Sequence, residues 1–130
     1  MVMENVLLID DSEIDNLINK KVLEKSGYCA NIHVMCSARE ALNYLIQLTD
    51  LPGYPSLFIF LDIRMPDIDG FEFLEHFYQL PESIHNNTRI IMLSSSIDSD
   101  DYHKAMSFPN VIKFINKPLS KEAVVDIFNS

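Results

Sequence analysis

Four apolar runs in this chain end on residues equipped for chemistry. Val6-Leu7-Leu8-Ile9 leads into Asp10-Asp11, and Leu57-Phe58-Ile59-Phe60-Leu61 leads into Asp62. Ile90-Ile91-Met92-Leu93 leads into Ser94, and Val111-Ile112-Lys113-Phe114-Ile115 into Asn116-Lys117-Pro118. Short apolar runs of this kind suit strands buried on both faces of a parallel sheet. The carboxyl ends of parallel strands share one edge, and ligands bind there in open α/β sheets. Three carboxylates, one hydroxyl and one ammonium would then meet at that edge. Two carboxylates about 4 Å apart repel by roughly 4 kcal/mol at an effective dielectric near 20, so the group needs cations. Lys117 supplies one positive charge. A hard divalent cation supplies the rest, and an all-oxygen set without Cys or His suits Mg²⁺ better than zinc. The charges of Asp10, Asp11 and Asp62 then cancel against Mg²⁺ plus Lys117. Such a centre would stabilise a transferring phosphoryl group, with Lys117 and the Ser94 hydroxyl on its remaining oxygens.

The segments between these runs read as the helices that would position them. Ser12-Glu13-Ile14-Asp15 resembles a capping box, and Ile14, Leu17, Ile18 and Val22 keep helical spacing up to Gly27. Residues Ala30 to Met35 read as a weaker strand at a sheet edge, because Asn31 and His33 alternate with Ile32 and Val34. Ser37-Ala38-Arg39-Glu40 opens a helix with Ala38, Ala41, Leu42 and Leu45 on one face. Thr49 to Ser56 reads as a loop. Asp69-Gly70-Phe71-Glu72 starts a helix that turns Phe71, Leu74, Phe77 and Tyr78 inward, with Phe73 also favoured for the core. Pro81 to Thr88 reads as loop and Asp98 to Ser107 as a polar helix. Ser120 caps a last helix that packs through Ala123, Val124, Ile127 and Phe128. Five strands alternating with five helices predict right-handed crossovers and a doubly wound parallel sheet, one α/β domain over residues 1–130.

Composition narrows the function. The 130 residues are 48% apolar and 22% charged, ordinary for a globular chain. A net charge of −9 argues against nucleic acid and anionic membranes as partners. No run approaches the ~20 apolar residues of a membrane helix, and no secretory leader is visible at Met1-Val2-Met3-Glu4-Asn5. Cys29 and Cys36 stand roughly 23 Å apart along extended chain, beyond disulfide reach. They read as reduced, half-buried thiols of a cytoplasmic protein. His33, His76, His85 and His103 show no ligand spacing and read as surface residues.

With these four strand ends in order, the chain resembles the receiver domains of two-component response regulators over essentially its whole length. The motifs are Leu8-Ile9-Asp10-Asp11, Asp62-Ile63-Arg64-Met65-Pro66-Asp67-Ile68-Asp69-Gly70, Ile91-Met92-Leu93-Ser94-Ser95 and Phe114-Ile115-Asn116-Lys117-Pro118. That resemblance implies a flavodoxin-like strand order of 2-1-3-4-5. It makes Asp62 the phosphoacceptor, taking its phosphoryl group from a histidine kinase or a histidine phosphotransfer protein. Asp11, Asp62 and the Arg64 backbone carbonyl would ligate Mg²⁺, with Asp10 acting through water. Lys117 would bind a phosphoryl oxygen. Ser94 and Phe114 would form the switch, and Lys117-Pro118 would be a cis peptide. Ser94 stands where threonine is commoner, Phe114 where tyrosine often stands and Ser95 in place of a common alanine; each keeps the reacting groups intact. Arg64 and Ser96, two positions beyond Asp62 and Ser94, would tune the lifetime of phospho-Asp62.

The resulting expectation is a signalling phosphoacceptor without an output domain of its own. It would promote only its own phosphorylation and dephosphorylation and act through a downstream target protein, with a phosphorylation-dependent homodimer as a further possibility. The alternative is a Mg²⁺-dependent phosphatase with an aspartyl nucleophile, but its signature needs a second Asp where Arg64 stands. A nucleotide or flavin site fails at Asp10-Asp11-Ser12-Glu13, which would repel phosphate.

Overall fold

One sheet of five parallel strands runs through the computed structural model, which describes residues 3–49, 56–96 and 98–129. The strands are β1 (Met3–Ile9), β2 (Cys29–Met35), β3 (Leu57–Asp62), β4 (Thr88–Ser94) and β5 (Val111–Asn116), ordered β2-β1-β3-β4-β5. This is the flavodoxin-like order. The strands with unbroken apolar runs, β1, β3 and β4, occupy the middle, and β2, with Asn31 and His33 in it, lies at an edge. Central strands lose water on both faces, so only they need apolar residues at every position.

Among the described residues six helices cover the sheet: α1 (Glu13–Ser26), α2 (Ala38–Leu48), α3 (Gly70–Phe77), α4 (Glu82–His85), α5 (Ser99–Met106) and α6 (Lys121–Asn129). The sequence predicts five. The sixth is α4, a single turn inside the stretch read as loop, held by the burial of Ile84 and by Thr88 Oγ1 donating to the Ile84 carbonyl at 2.7 Å. It has four residues, too few to show a periodic pattern. Strand alternation divides the core in two. Leu7, Ile9, Ile59, Leu61, Ile90 and Met92 face the side covered by α2, α3, α4 and α5. Val6, Leu8, Phe60, Ile91 and Leu93 face α1 and α6. Asp10 and Asp62 fall in phase with Val6, Leu8 and Phe60, so both carboxylates belong to the α1/α6 side.

Helix α1 departs from expectation. Most of its predicted apolar face is turned outward, with Ile14, Leu17 and Ile18 exposed at 71%, 56% and 42%, while Val22 packs on the core. Asn16, Asn19 and Leu23 are buried instead. Two buried asparagines invert the usual rule because each has a backbone partner at the site described below. Other starts follow prediction. Ser12, Ser37 and Asp69 accept from the backbone amides of Asp15, Glu40 and Glu72, and Asp69 with Glu72 completes a capping box. Glu40 does not close the box at Ser37; its carboxylate accepts from the Cys36 amide. Phe71, Phe73, Leu74 and Phe77 are buried, while Tyr78 is half-buried and donates its hydroxyl proton to Asn110. Cys36 is exposed rather than half-buried, and both thiols are free. His85 is half-buried rather than a free surface residue: it packs on Phe77 and Tyr78, and its Nε2 lies 2.8 Å from the Phe77 carbonyl. Most of the 49–56 loop and the side chain of Phe128 lie outside the described residues. No helix among the described residues is long and apolar enough to cross a membrane.

Candidate functional site

The strand order reverses between β1 and β3. Their following loops therefore leave toward opposite faces and open a crevice at the carboxyl edge. Asp10 extends the β1–β2 ladder by donating its amide to the Met35 carbonyl at 3.2 Å. Asp62 ends β3 opposite Leu93. Oxygens of Asp10, Asp11 and Asp62 lie within 4.8 Å of one another. Asp10 and Asp62 are buried, whereas Asp11 is exposed at the mouth.

The backbone around Asp62 is fixed by close approach. Gly70, the first residue of α3, donates its amide to the Ile63 carbonyl at 2.9 Å. A Cβ at Gly70 would lie 2.7 Å from the Asp62 carbonyl oxygen and 2.9 Å from Ile63 Cα. Only glycine allows α3 to start against the strand end, which holds the intervening loop tight. The Ile63 amide in turn donates to the Leu93 carbonyl at 3.1 Å, carrying the β3–β4 pairing past Asp62.

Lys117 reaches the crevice from β5. Its amide donates to the Ser94 carbonyl at 2.7 Å, and the following Lys117-Pro118 bond is cis. The ammonium donates to Asp10 Oδ2 at 2.9 Å and Asp15 Oδ2 at 2.9 Å, and lies 3.3 Å from Asp62 Oδ1. Burial opposes the Lys117 charge, but the hydrogen bonds to Asp15 and Asp10, with the Asp62 and Asp10 charges, outweigh it and hold its pKa above the ordinary lysine value. Asp62, by contrast, is held toward its neutral form. Burial raises its pKa to about 6, the Asp10 charge adds to this and Lys117 only partly offsets it. A carboxylate that resists ionisation beside two others gains from a hard cation. The three carboxylates, all oxygen donors with one open to water, fit a divalent ion such as Mg²⁺.

The other predicted site residues take separate places. Ser94 ends β4 opposite Asn116, and its hydroxyl donates to the Ser96 carbonyl at 2.6 Å, turned onto its own loop. Arg64 is exposed, with its guanidinium paired to Asp101 of α5. Phe114 is half-buried on the α5 side of the sheet, edge-on to Tyr102 at 5.7 Å. A cleft of about 590 Å³ lies elsewhere, at the opposite edge around Phe58, Arg89 and Asn110. The residues that sequence reasoning missed are Asp15, Asn16, Asn19 and Asp101. Asp15 adds a fourth carboxylate, so one negative charge is left over after the expected cancellation with Mg²⁺ and Lys117. Asn16 Nδ2 donates to the Asp10 carbonyl at 2.8 Å, and Asn19 Oδ1 accepts from the Leu119 amide at 3.1 Å.

Comparison with known proteins agrees with this geometry. A family model described as the response regulator receiver domain matches residues 6–129. A crystal structure of a two-component response regulator from Cytophaga hutchinsonii is 32% identical, with a TM-score of 0.90 over 99% of this chain and 96% of that one. A response regulator receiver protein from Dyadobacter fermentans is 31% identical, with a TM-score of 0.86 over 97% and 95%. A probable methanogenesis regulatory protein of Methanothrix harundinacea is 29% identical over 90% of this chain and 74% of its own length. A hybrid signal transduction histidine kinase of Dictyostelium discoideum is 28% identical over 97% of this chain, which spans only 7% of that protein.

Proposed function

This chain belongs to the response regulator receiver domain family, the signalling modules of two-component systems, and we propose that it accepts a phosphoryl group on Asp62. The convergence of Asp10, Asp11, Asp62 and the Lys117 ammonium at one strand edge carries this reading. The donor is the phosphohistidine of a histidine kinase or histidine phosphotransfer protein. An Asp62 carboxylate oxygen bonds to phosphorus as the P–N bond breaks, and the electron pair leaves with the imidazole. Asp11, Asp62 and the Arg64 carbonyl would hold Mg²⁺, and Asp10 would act on it through water. When bound, the ion offsets negative charge gathering on the phosphoryl oxygens. Lys117 already points its N–H groups into the crevice and binds one phosphoryl oxygen.

Ser94 then leaves the Ser96 carbonyl for the phosphoryl group, and Phe114 turns inward into the released space. The surface around α5, β5 and α6 changes with them and is read by a downstream target protein, with a homodimer as one form that reading takes. Arg64 and Ser96 border the path of hydrolytic water and set the lifetime of phospho-Asp62. The whole chain acts as one receiver unit in the cytoplasm and promotes only its own phosphorylation and dephosphorylation. The position of a phosphatase's second aspartate is held by Arg64, already engaged with Asp101. Incubation with acetyl phosphate and Mg²⁺ should add one phosphoryl group by intact mass, absent in Asp62→Ala. A persistent adduct in that variant refutes the assignment, and turnover of a generic phosphate ester would restore the phosphatase reading.

A further inference from the structure

Helix α1 grips the Lys117 loop on both sides of Pro118. Asp15 takes the Lys117 ammonium at 2.9 Å, and Asn19, one turn later on the same face, accepts the Leu119 amide at 3.1 Å. Asn16 adds a third tie, to the Asp10 carbonyl at 2.8 Å. These contacts have a cost. Asn16 Oδ1 and Asn19 Nδ2 are buried without a hydrogen-bond partner among the described residues. Apolar residues here would avoid that penalty, so the polar inner face of α1 serves position rather than stability.

An ammonium has three N–H groups, and three carboxylates surround that of Lys117. Asp10 and Asp62 belong to the acidic cluster with Asp11, and Asp15 does not. The Asp62 contact is the longest of the three. Phosphorylation turns the Asp62 carboxylate into an acyl phosphate and weakens that contact further, while a bound cation would draw on Asp10. Asp15 is then the carboxylate left to fix the ammonium. Helix charge alone does not account for it: Glu13 offers an acid in the same first turn with no bond to Lys117.

We propose that Asp15 is a positioning residue that holds the Lys117 ammonium in place for the phosphoryl oxygen. The proposal rests on Asp62 being the phosphoacceptor. Phosphorylation by acetyl phosphate, followed by intact mass, should be about tenfold slower in Asp15→Ala, the loss expected for a hydrogen bond to a charged group. Asp15→Asn should recover most of the rate, because its amide oxygen accepts the same N–H. Glu13→Ala should leave the rate unchanged, and the Mg²⁺ concentration for half-maximal rate should be the same in all four chains. A rate in Asp15→Ala equal to or above the parent overturns the proposal, as does an Asn variant as slow as the Ala variant. An equal loss in Glu13→Ala would mark a general charge effect, and a tenfold rise in the Mg²⁺ requirement would make Asp15 a metal ligand; either overturns it. A parent chain with no adduct at Asp62 overturns the phosphoacceptor reading and this proposal with it. A normal parent adduct with an unaffected Asp15→Ala overturns this proposal alone.

Discussion

Removing the charge of Asp62 should change how the chain's stability responds to pH. Its pKa stands at about 6, against an ordinary 3.8, because burial and the Asp10 charge penalise ionisation more than Lys117 repays. Between those values the folded chain binds a proton at Asp62 that the unfolded chain has lost. Stability therefore falls as pH rises through this window, and the contribution is fully present only below the unfolded value. The full gap is worth about 3 kcal/mol at 1.36 kcal/mol per unit. Only part is accessible, since the isoelectric point of 4.7 makes measurement below pH 5 a solubility problem. From pH 7 to pH 5 the metal-free chain should gain about 1.3 kcal/mol from this group. Asp62→Asn should lack that gain. The exposed Arg39–Asp67 pair is present in both chains and cancels in the comparison. The assay is urea unfolding by far-UV circular dichroism, suited to a chain without tryptophan, in EDTA and in excess Mg²⁺. Saturating Mg²⁺ at pH 7 should stabilise the parent by mass action, about 2.7 kcal/mol at a hundredfold excess over Kd, and should flatten the slope. A stability difference between the two chains that does not change with pH refutes the reasoning.

Three further outcomes test other parts of the structure. Gly70→Ala drives a methyl group into the backbone of Asp62 and Ile63; it should cost about 1–3 kcal/mol by urea unfolding and lower the yield of the phosphoryl adduct. Leu17→Ser on the exposed face of α1 should change stability by no more than about 0.5 kcal/mol. Leu23→Ala, at the buried face, should cost about 2–5 kcal/mol, and the reverse ranking would restore the amphipathic orientation read from the sequence. Arg64→Ala and Ser96→Ala should change the half-life of phospho-Asp62, followed by intact mass after donor removal, more than the yield; unaltered decay in both removes their role in lifetime.

Much of the site was legible because strand burial leaves a strong mark. A residue that ends a fully apolar run has no packing reason to be acidic, so Asp10, Asp62 and Lys117 stood out against their neighbours. Capping residues were legible for a similar reason: Ser12, Ser37 and Asp69 satisfy amides within three residues of themselves. The single turn of α4 was not, since it is held by Ile84 and Thr88 packing into a fold already formed. Asp15 was misread because its amide does bond Ser12, as a capping box requires, while its carboxylate leaves the helix for a lysine 102 residues away.

The sequence by itself determined which side chains could react, that they end parallel strands, and the edge on which those strands finish. Periodicity carries that much because burial of a strand is a property of consecutive residues. Which face of α1 meets the sheet was decided only by the tertiary structure. Hydrophobicity favoured turning Ile14, Leu17 and Ile18 inward, and three polar partners outside the helix, the Asp10 carbonyl, the Lys117 ammonium and the Leu119 amide, turned Asp15, Asn16 and Asn19 toward the site instead. Those partners lie just beyond the ends of β1 and β5, and no pattern within the helix encodes them.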